Sequence, residues 1–85
     1  MAVKHKPYNG WYNRATWNVA LWIQNDEGMY IDAGTFARGE KKLKLENVRD
    51  FCVEIFGGVK TPDGDSLFDV HWPEIVSMFK ELRDE

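Results

Sequence analysis

The chain has 85 residues, of which twelve are aromatic (four Trp, three Tyr and five Phe), with a net charge of −3 and a single cysteine. A chain of this length reads as one small domain that buries only about 60–65% of its unfolded surface, but rings that each bury roughly 150–250 Å² allow a core without metal or disulfide. Cys52, being alone, excludes an intrachain bridge; no apolar run is long enough to span a membrane, and none follows Lys4 and Lys6 to make a signal peptide.

In chain order, residues 1–7, through Pro7, read as a flexible arm, and Asn9-Gly10 as a turn. Tyr8 to Tyr30 holds three of the four Trp and all three Tyr, set beside Asn, Arg and Thr. A helix over 14–25 is predicted to start at Asn13, whose side chain can accept a first-turn backbone N–H. On a helical wheel Trp17, Ala20 and Leu21 cluster on one side. Val19, Trp22 and Ile23 lie roughly opposite, and only Arg14, Asn18 and Asn25 form a polar stripe. A helix apolar nearly all round is central to its domain or covered by a partner. Trp17, Leu21 and Trp22 are therefore expected in the core, with Trp72 and Phe79 nearby.

Asp26 can cap a second helix over 28–38, which Gly39 ends, and in which Gly28 and Gly34 cost about 1 kcal/mol each. Met29, Tyr30, Ala33, Phe36 and Ala37 share a face. Glu40 to Lys44 reads as a charged connector. Over 45–56, Leu45, Val48, Phe51, Cys52, Ile55 and Phe56 cover one face and Gly57-Gly58 stops the helix. Thr61-Pro62-Asp63-Gly64 is a turn, Leu67-Phe68 a short helical turn, and a last helix over 72–83 tolerates Pro73 in its first turn. The fold class is all-α, a bundle of about four helices.

Signals for chemistry are weak. His5 and His71 have no second ligand at metal spacing, and Asp63, Asp65 and Asp69 lack the one-three-five spacing and closing Glu of a calcium loop. Cys52 lies on an apolar helical face, and Gly57-Gly58 is followed by no phosphate-loop Lys. No enzyme, cofactor or metal site is read. Charge divides along the chain: residues 1–44 carry seven basic against four acidic groups, and 45–85 carry four against ten. The second half therefore offers an acidic side to a basic partner.

Asn13-x-x-Thr16-Trp17-Asn18-Val19-Ala20-Leu21-Trp22-Ile23-x-Asn25-Asp26-Glu27-Gly28-x-Tyr30 resembles the hallmark of a family of small, mostly uncharacterised proteins found in bacteriophages, cyanophages among them, and in other mobile or bacterial genomes. The likeness spans about a fifth of the chain, with a looser match at Trp72-x-Glu74-Ile75. It implies a phage-like source and carries over no catalytic residue. The expected function is that of a non-enzymatic binding protein in the host cytoplasm. It would modulate a host macromolecule, an unidentified protein, through Trp11, Tyr12, Arg14, Asn18 and Asn25, a surface that could also support weak self-association. The alternative is a small nucleic-acid-binding module in which Arg38, Lys41, Lys42 and Lys44 act with the N-terminal aromatics. Residues Tyr8 to Tyr12 are either an accessible patch or a lid folded over the first helix.

Overall fold

The computed structural model describes residues 8–85. The expected N-terminal arm, with Lys4, His5, Lys6 and Pro7, lies outside the described residues. Four helices follow in order: α1 (Arg14–Asn25), α2 (Glu27–Gly39), α3 (Leu45–Phe56) and α4 (Trp72–Arg83), with one 3₁₀ turn at Leu67–Asp69. Among the described residues strand pairing is confined to two isolated bridges, Tyr8 with Trp11 and Lys60 with Ser66, so the fold is all-α.

Local chemistry sets the boundaries. Asn13 Oδ1 accepts the Thr16 N–H at 2.9 Å and begins α1; Asp26 Oδ1 accepts the Met29 N–H at 3.0 Å and begins α2 with barely a break. At the end of α3 the Gly57 N–H donates to the Glu54 carbonyl and the Gly58 N–H to the Val53 carbonyl. Gly57 sits at φ +76°, where a residue with a Cβ would be strained. In α4 Pro73 occupies the first turn, where its missing N–H costs nothing.

Helix α4 is the hub and packs against α1, α2 and α3, whereas α3 reaches the rest of the bundle chiefly through α4. Phe79, fully buried, anchors this centre. Its ring meets Phe36 of α2 and Phe51 of α3 edge-on at 6.0 and 5.8 Å, while Phe36 and Phe51 stack on each other at 4.5 Å. Phe79, Ile75, Val48, Cys52, Ala33 and Ala37 are closed off from solvent. Burial pushes the Cys52 thiol up to about 12, so it is a packing group and carries no thiolate at neutral pH.

Helix α1 corrects one expectation. Its buried residues are Ala15, Thr16, Asn18, Val19, Ala20 and Ile23, while Trp17, Leu21 and Trp22 are only half-buried at the flanks. Small and β-branched residues let α1 approach its neighbours closely, and each large indole stays at the rim, where its ring or its N–H finds a partner. Two further apolar positions are less covered than the helical pattern implies: Leu45 is 49% exposed and Tyr30 37%. The Tyr30 hydroxyl donates to a Glu85 carboxylate oxygen and ties α2 to the chain end. No helix among the described residues is long and apolar enough to cross a membrane.

Candidate functional site

The aromatic block around α1 is engaged with the molecule itself. Asn9 (φ +50°) and Gly10 (φ +87°) make a tight turn in which Tyr8 and Trp11 exchange backbone hydrogen bonds at 3.1 and 2.8 Å. That turn lays the Tyr8 ring edge-on to Trp17 at 5.1 Å and packs Trp11 against the core. The Arg14 guanidinium lies 5.8 Å from the centre of the Trp17 ring, and its Nε donates to Asp65 Oδ2 at 3.1 Å. Tyr8 and Trp11 thus fold back onto α1 and the core as a lid, while Tyr12 stays exposed.

Thr16 explains why the motif begins Asn-x-x-Thr. Its hydroxyl donates to Asn13 Oδ1 at 2.6 Å and accepts the His71 N–H at 2.8 Å, and the residue is wholly buried. Asn13 Nδ2 in turn donates to the Asp69 carbonyl at 2.8 Å, and the Tyr12 N–H donates to Glu74 Oε1 at 2.9 Å. The start of α1 is thereby stitched to the start of α4, whose cap residue His71 makes no side-chain capping bond of its own. These three polar contacts, Thr16 with His71, Asn13 with Asp69 and Tyr12 with Glu74, each join residues more than 50 positions apart in sequence.

One turn further along α1, Asp63 Oδ2 accepts from Asn18 Nδ2 at 2.9 Å and from Trp22 Nε1 at 3.0 Å. These two donors, followed by the charge of Arg14, hold the Asp63 carboxyl below the ordinary aspartate range. Asp63 is presented by the Thr61-Pro62-Asp63-Gly64 turn, closed by the Gly64 N–H on the Thr61 carbonyl and by the Asp65 N–H on the Thr61 hydroxyl. Asn18 Oδ1 is buried with no hydrogen-bond partner among the described residues, so the side chain is oriented through its donor end.

The expected site residues therefore separate. Trp11 is half-buried, Tyr12 is 52% exposed and stacks on His71 at 4.3 Å, and Arg14 is exposed but bonded to Asp65. Asn25 is exposed beside a 290 Å³ cleft lined also by Leu21, Trp22 and Asp26. Asn18 is corrected: at 0% exposure it is part of the interior and cannot border a surface. Arg38, Lys41, Lys42 and Lys44 are exposed, but the connector is pegged by buried Leu43 and by Asn47, whose Nδ2 donates to the Lys42 carbonyl at 2.9 Å. Its lysines line a hollow shared with Glu40, Glu46 and Asp50, which offsets their charge locally.

The surface that the sequence did not single out lies between α2 and α3. Two adjoining hollows of 480 and 370 Å³ share Phe36, Phe51 and Glu54. Asp32 and Thr35 border them on the α2 side; Asp50, Val53 and Ile55 border them on the α3 side. The stacked Phe36 and Phe51 rings, each half-buried, are the floor, and Asp32, Asp50 and Glu54 are exposed at the edge. Ile31, one helical turn before Thr35, is 54% exposed and extends the apolar margin. Among the described residues the only ion pair at this edge is Arg49 with its neighbour Asp50 at 3.5 Å. Elsewhere Phe68 stands 82% exposed on the 3₁₀ turn. Among the described residues no three His, Cys, Asp or Glu side chains are placed to hold a metal ion.

A family model described as a family of unknown function (DUF7249) matches residues 4–85, so the chain belongs to that family. No curated protein and no solved structure matches the chain.

Proposed function

We propose that this is a non-enzymatic binding protein of phage type that modulates a host protein in the host cytoplasm, and that the contact is made by the groove between α2 and α3. The carrying observation is the stacked Phe36–Phe51 floor, left half-open between two helices that share little direct packing and edged by Asp32, Asp50 and Glu54. Interfaces draw most of their energy from aromatic anchors surrounded by a polar rim, and this groove has both. The phage assignment rests on the resemblance carried by Asn13 to Tyr30. Tyr12, Asn25 and Phe68 are also exposed, outside the groove.

A nucleic-acid-binding role draws less support. The connector lysines share their hollow with three carboxylates, and Tyr8 and Trp11 are folded onto Trp17 and the core instead of standing free to stack on bases.

The test is a paired capture from host lysate with the tagged parent and a Thr35→Trp variant. Thr35 is exposed on the groove wall, so an indole there fills the groove without disturbing the core. The expected result is a host protein retained by the parent and lost by an equally stable variant. Identical capture by both would remove the groove from the account, and nucleic acid retained at low salt and released steeply with added salt would favour the alternative.

A further inference from the structure

Resting on the groove reading above, we infer that the occupant of the α2–α3 groove is a lysine- or arginine-bearing amphipathic helix of the partner protein. Three features of the molecule lead there.

The first is what the groove offers. Its floor is apolar and aromatic, its walls are helical, and its ends are hollows of 480 and 370 Å³ that meet over Phe36 and Phe51. Side chains of the size of Leu, Met or Phe fit such spaces, and two or three of them spaced along one face define an apolar stripe.

The second is what the partner's backbone needs. An extended peptide that enters a groove gains most of its affinity by adding itself to a sheet edge. Among the described residues strand pairing is confined to the isolated Tyr8–Trp11 and Lys60–Ser66 bridges, and neither lies on α2 or α3. A segment lying against two helices finds few backbone donors or acceptors, because theirs are already used within each helix. The occupant must satisfy its own backbone, and a helix does so.

The third is charge. Asp32 stands on the α2 wall and Asp50 and Glu54 on the α3 wall, so carboxylates flank the apolar floor from both sides. Arg49 offsets Asp50 in part, and the connector lysines lie beyond the Asp50 end, so the acidic character is concentrated at Asp32 and Glu54. The half of the chain that contributes α3 and α4 carries four basic against ten acidic groups. Cations on the edges of an amphipathic helix would meet Asp32 and Glu54 while its apolar stripe covers the rings. The same field would speed their encounter at low ionic strength.

The test uses a fluorescein-labelled 18-residue synthetic helix with a Leu stripe and Lys flanks, an otherwise identical peptide with Gln for every Lys, and three proteins. These are the parent, a rim triple variant (Asp32→Asn, Asp50→Asn, Glu54→Gln) and the groove-filling Thr35→Trp. A control removes three carboxylates elsewhere (Glu27→Gln, Glu81→Gln, Asp84→Asn). Anisotropy titrations at two salt concentrations give the affinities, and sedimentation of the parent alone reports self-association. The expected pattern is that the Lys peptide binds the parent and loses about tenfold or more on the rim triple variant but much less on the control. Thr35→Trp abolishes its binding. If the Gln peptide binds as tightly as the Lys peptide and is blocked by Thr35→Trp, the cationic occupant is overturned and the groove survives. If Thr35→Trp leaves Lys-peptide binding intact, both readings fall. If the parent dimerises and Thr35→Trp does not, the occupant is a second copy of this chain and the inference is wrong.

Discussion

On the α1 side, the rings and amides come with partners. Trp22 and Asn18 donate to Asp63, Tyr8 covers Trp17, and Thr16 binds both Asn13 and His71. On the α2–α3 side, Phe36 and Phe51 have each other and Phe79 beneath them, and among the described residues their outer side is an open hollow edged by Asp32, Asp50 and Glu54. The difference teaches that an unusual motif and an available surface are separate things. Along α1, Thr16, Asn18 and Trp22 fasten the Asp63 loop and the start of α4 with hydrogen bonds. The ordinary-looking amphipathic helices are the ones that leave aromatic surface open.

The comparison can be broken most forcefully from beneath. Phe79→Ala removes the ring that supports both Phe36 and Phe51 and should cost about 3–5 kcal/mol, most of the stability of a small domain. Urea denaturation checks it; a variant that melts like the parent would mean that the aromatic triad is not the foundation of the groove.

Thr16→Val comes next. It keeps the shape of a fully buried side chain but strands the His71 N–H and removes a partner of Asn13, at a cost of about 1–3 kcal/mol. Its unfolding midpoint should fall while the affinity for a groove ligand stays unchanged, because the damage is confined to the α1–α4 stitch.

Asp63→Ala has a smaller effect that depends on pH. The folded carboxyl is depressed, first by Asn18 and Trp22 and then by Arg14. Such a group adds stability above its unfolded value, near pH 4, and that contribution is lost as the pH falls through the depressed folded value. The melting temperatures of parent and variant should therefore differ at pH 6 and converge as the pH is lowered below 4. A gap that persists unchanged at pH 2.5 would show that the carboxylate is not the source.

The smallest change in stability belongs to the rim triple variant. Asp32, Asp50 and Glu54 are exposed, so neutralising them should leave stability within about 0.5 kcal/mol while the affinity for the Lys-flanked helix falls about tenfold or more. Thr16→Val and the rim triple variant thus predict opposite losses, one of stability and one of binding.

Much of the scaffold was legible in the sequence because its punctuation is local. Asn13 and Asp26 cap the next three residues, Gly57 closes α3, Pro73 opens α4, and the boundaries of α1, α3 and α4 follow directly; α2 begins one residue earlier and ends one later than expected. The orientation of α1 was not legible. With apolar residues nearly all round, periodicity cannot say which flank faces inward, and the buried side proved to be the one with Ala15, Val19, Ala20 and Ile23. Nor could spacing reveal that Asn18 is interior, since its partner Asp63 lies 45 residues away in a loop. The groove escaped for a related reason. A pattern shows that Phe36 and Phe51 belong to apolar faces, but coverage depends on how α2 and α3 splay around α4, which is a property of the assembled bundle.

The central claim, that recognition belongs to the α2–α3 groove and the aromatic motif is structural, is tested most directly by an NMR titration of the parent with the Lys-flanked helix. The four indole N–H signals and the Phe ring signals would be followed in one series. The account predicts shifts at Phe36, Phe51 and the backbone of Asp32 and Glu54, with the Trp17 and Trp22 indole signals still in place. Indole signals of Trp11, Trp17 and Trp22 that move first, with Phe36 and Phe51 unmoved, would contradict it and return the site to α1.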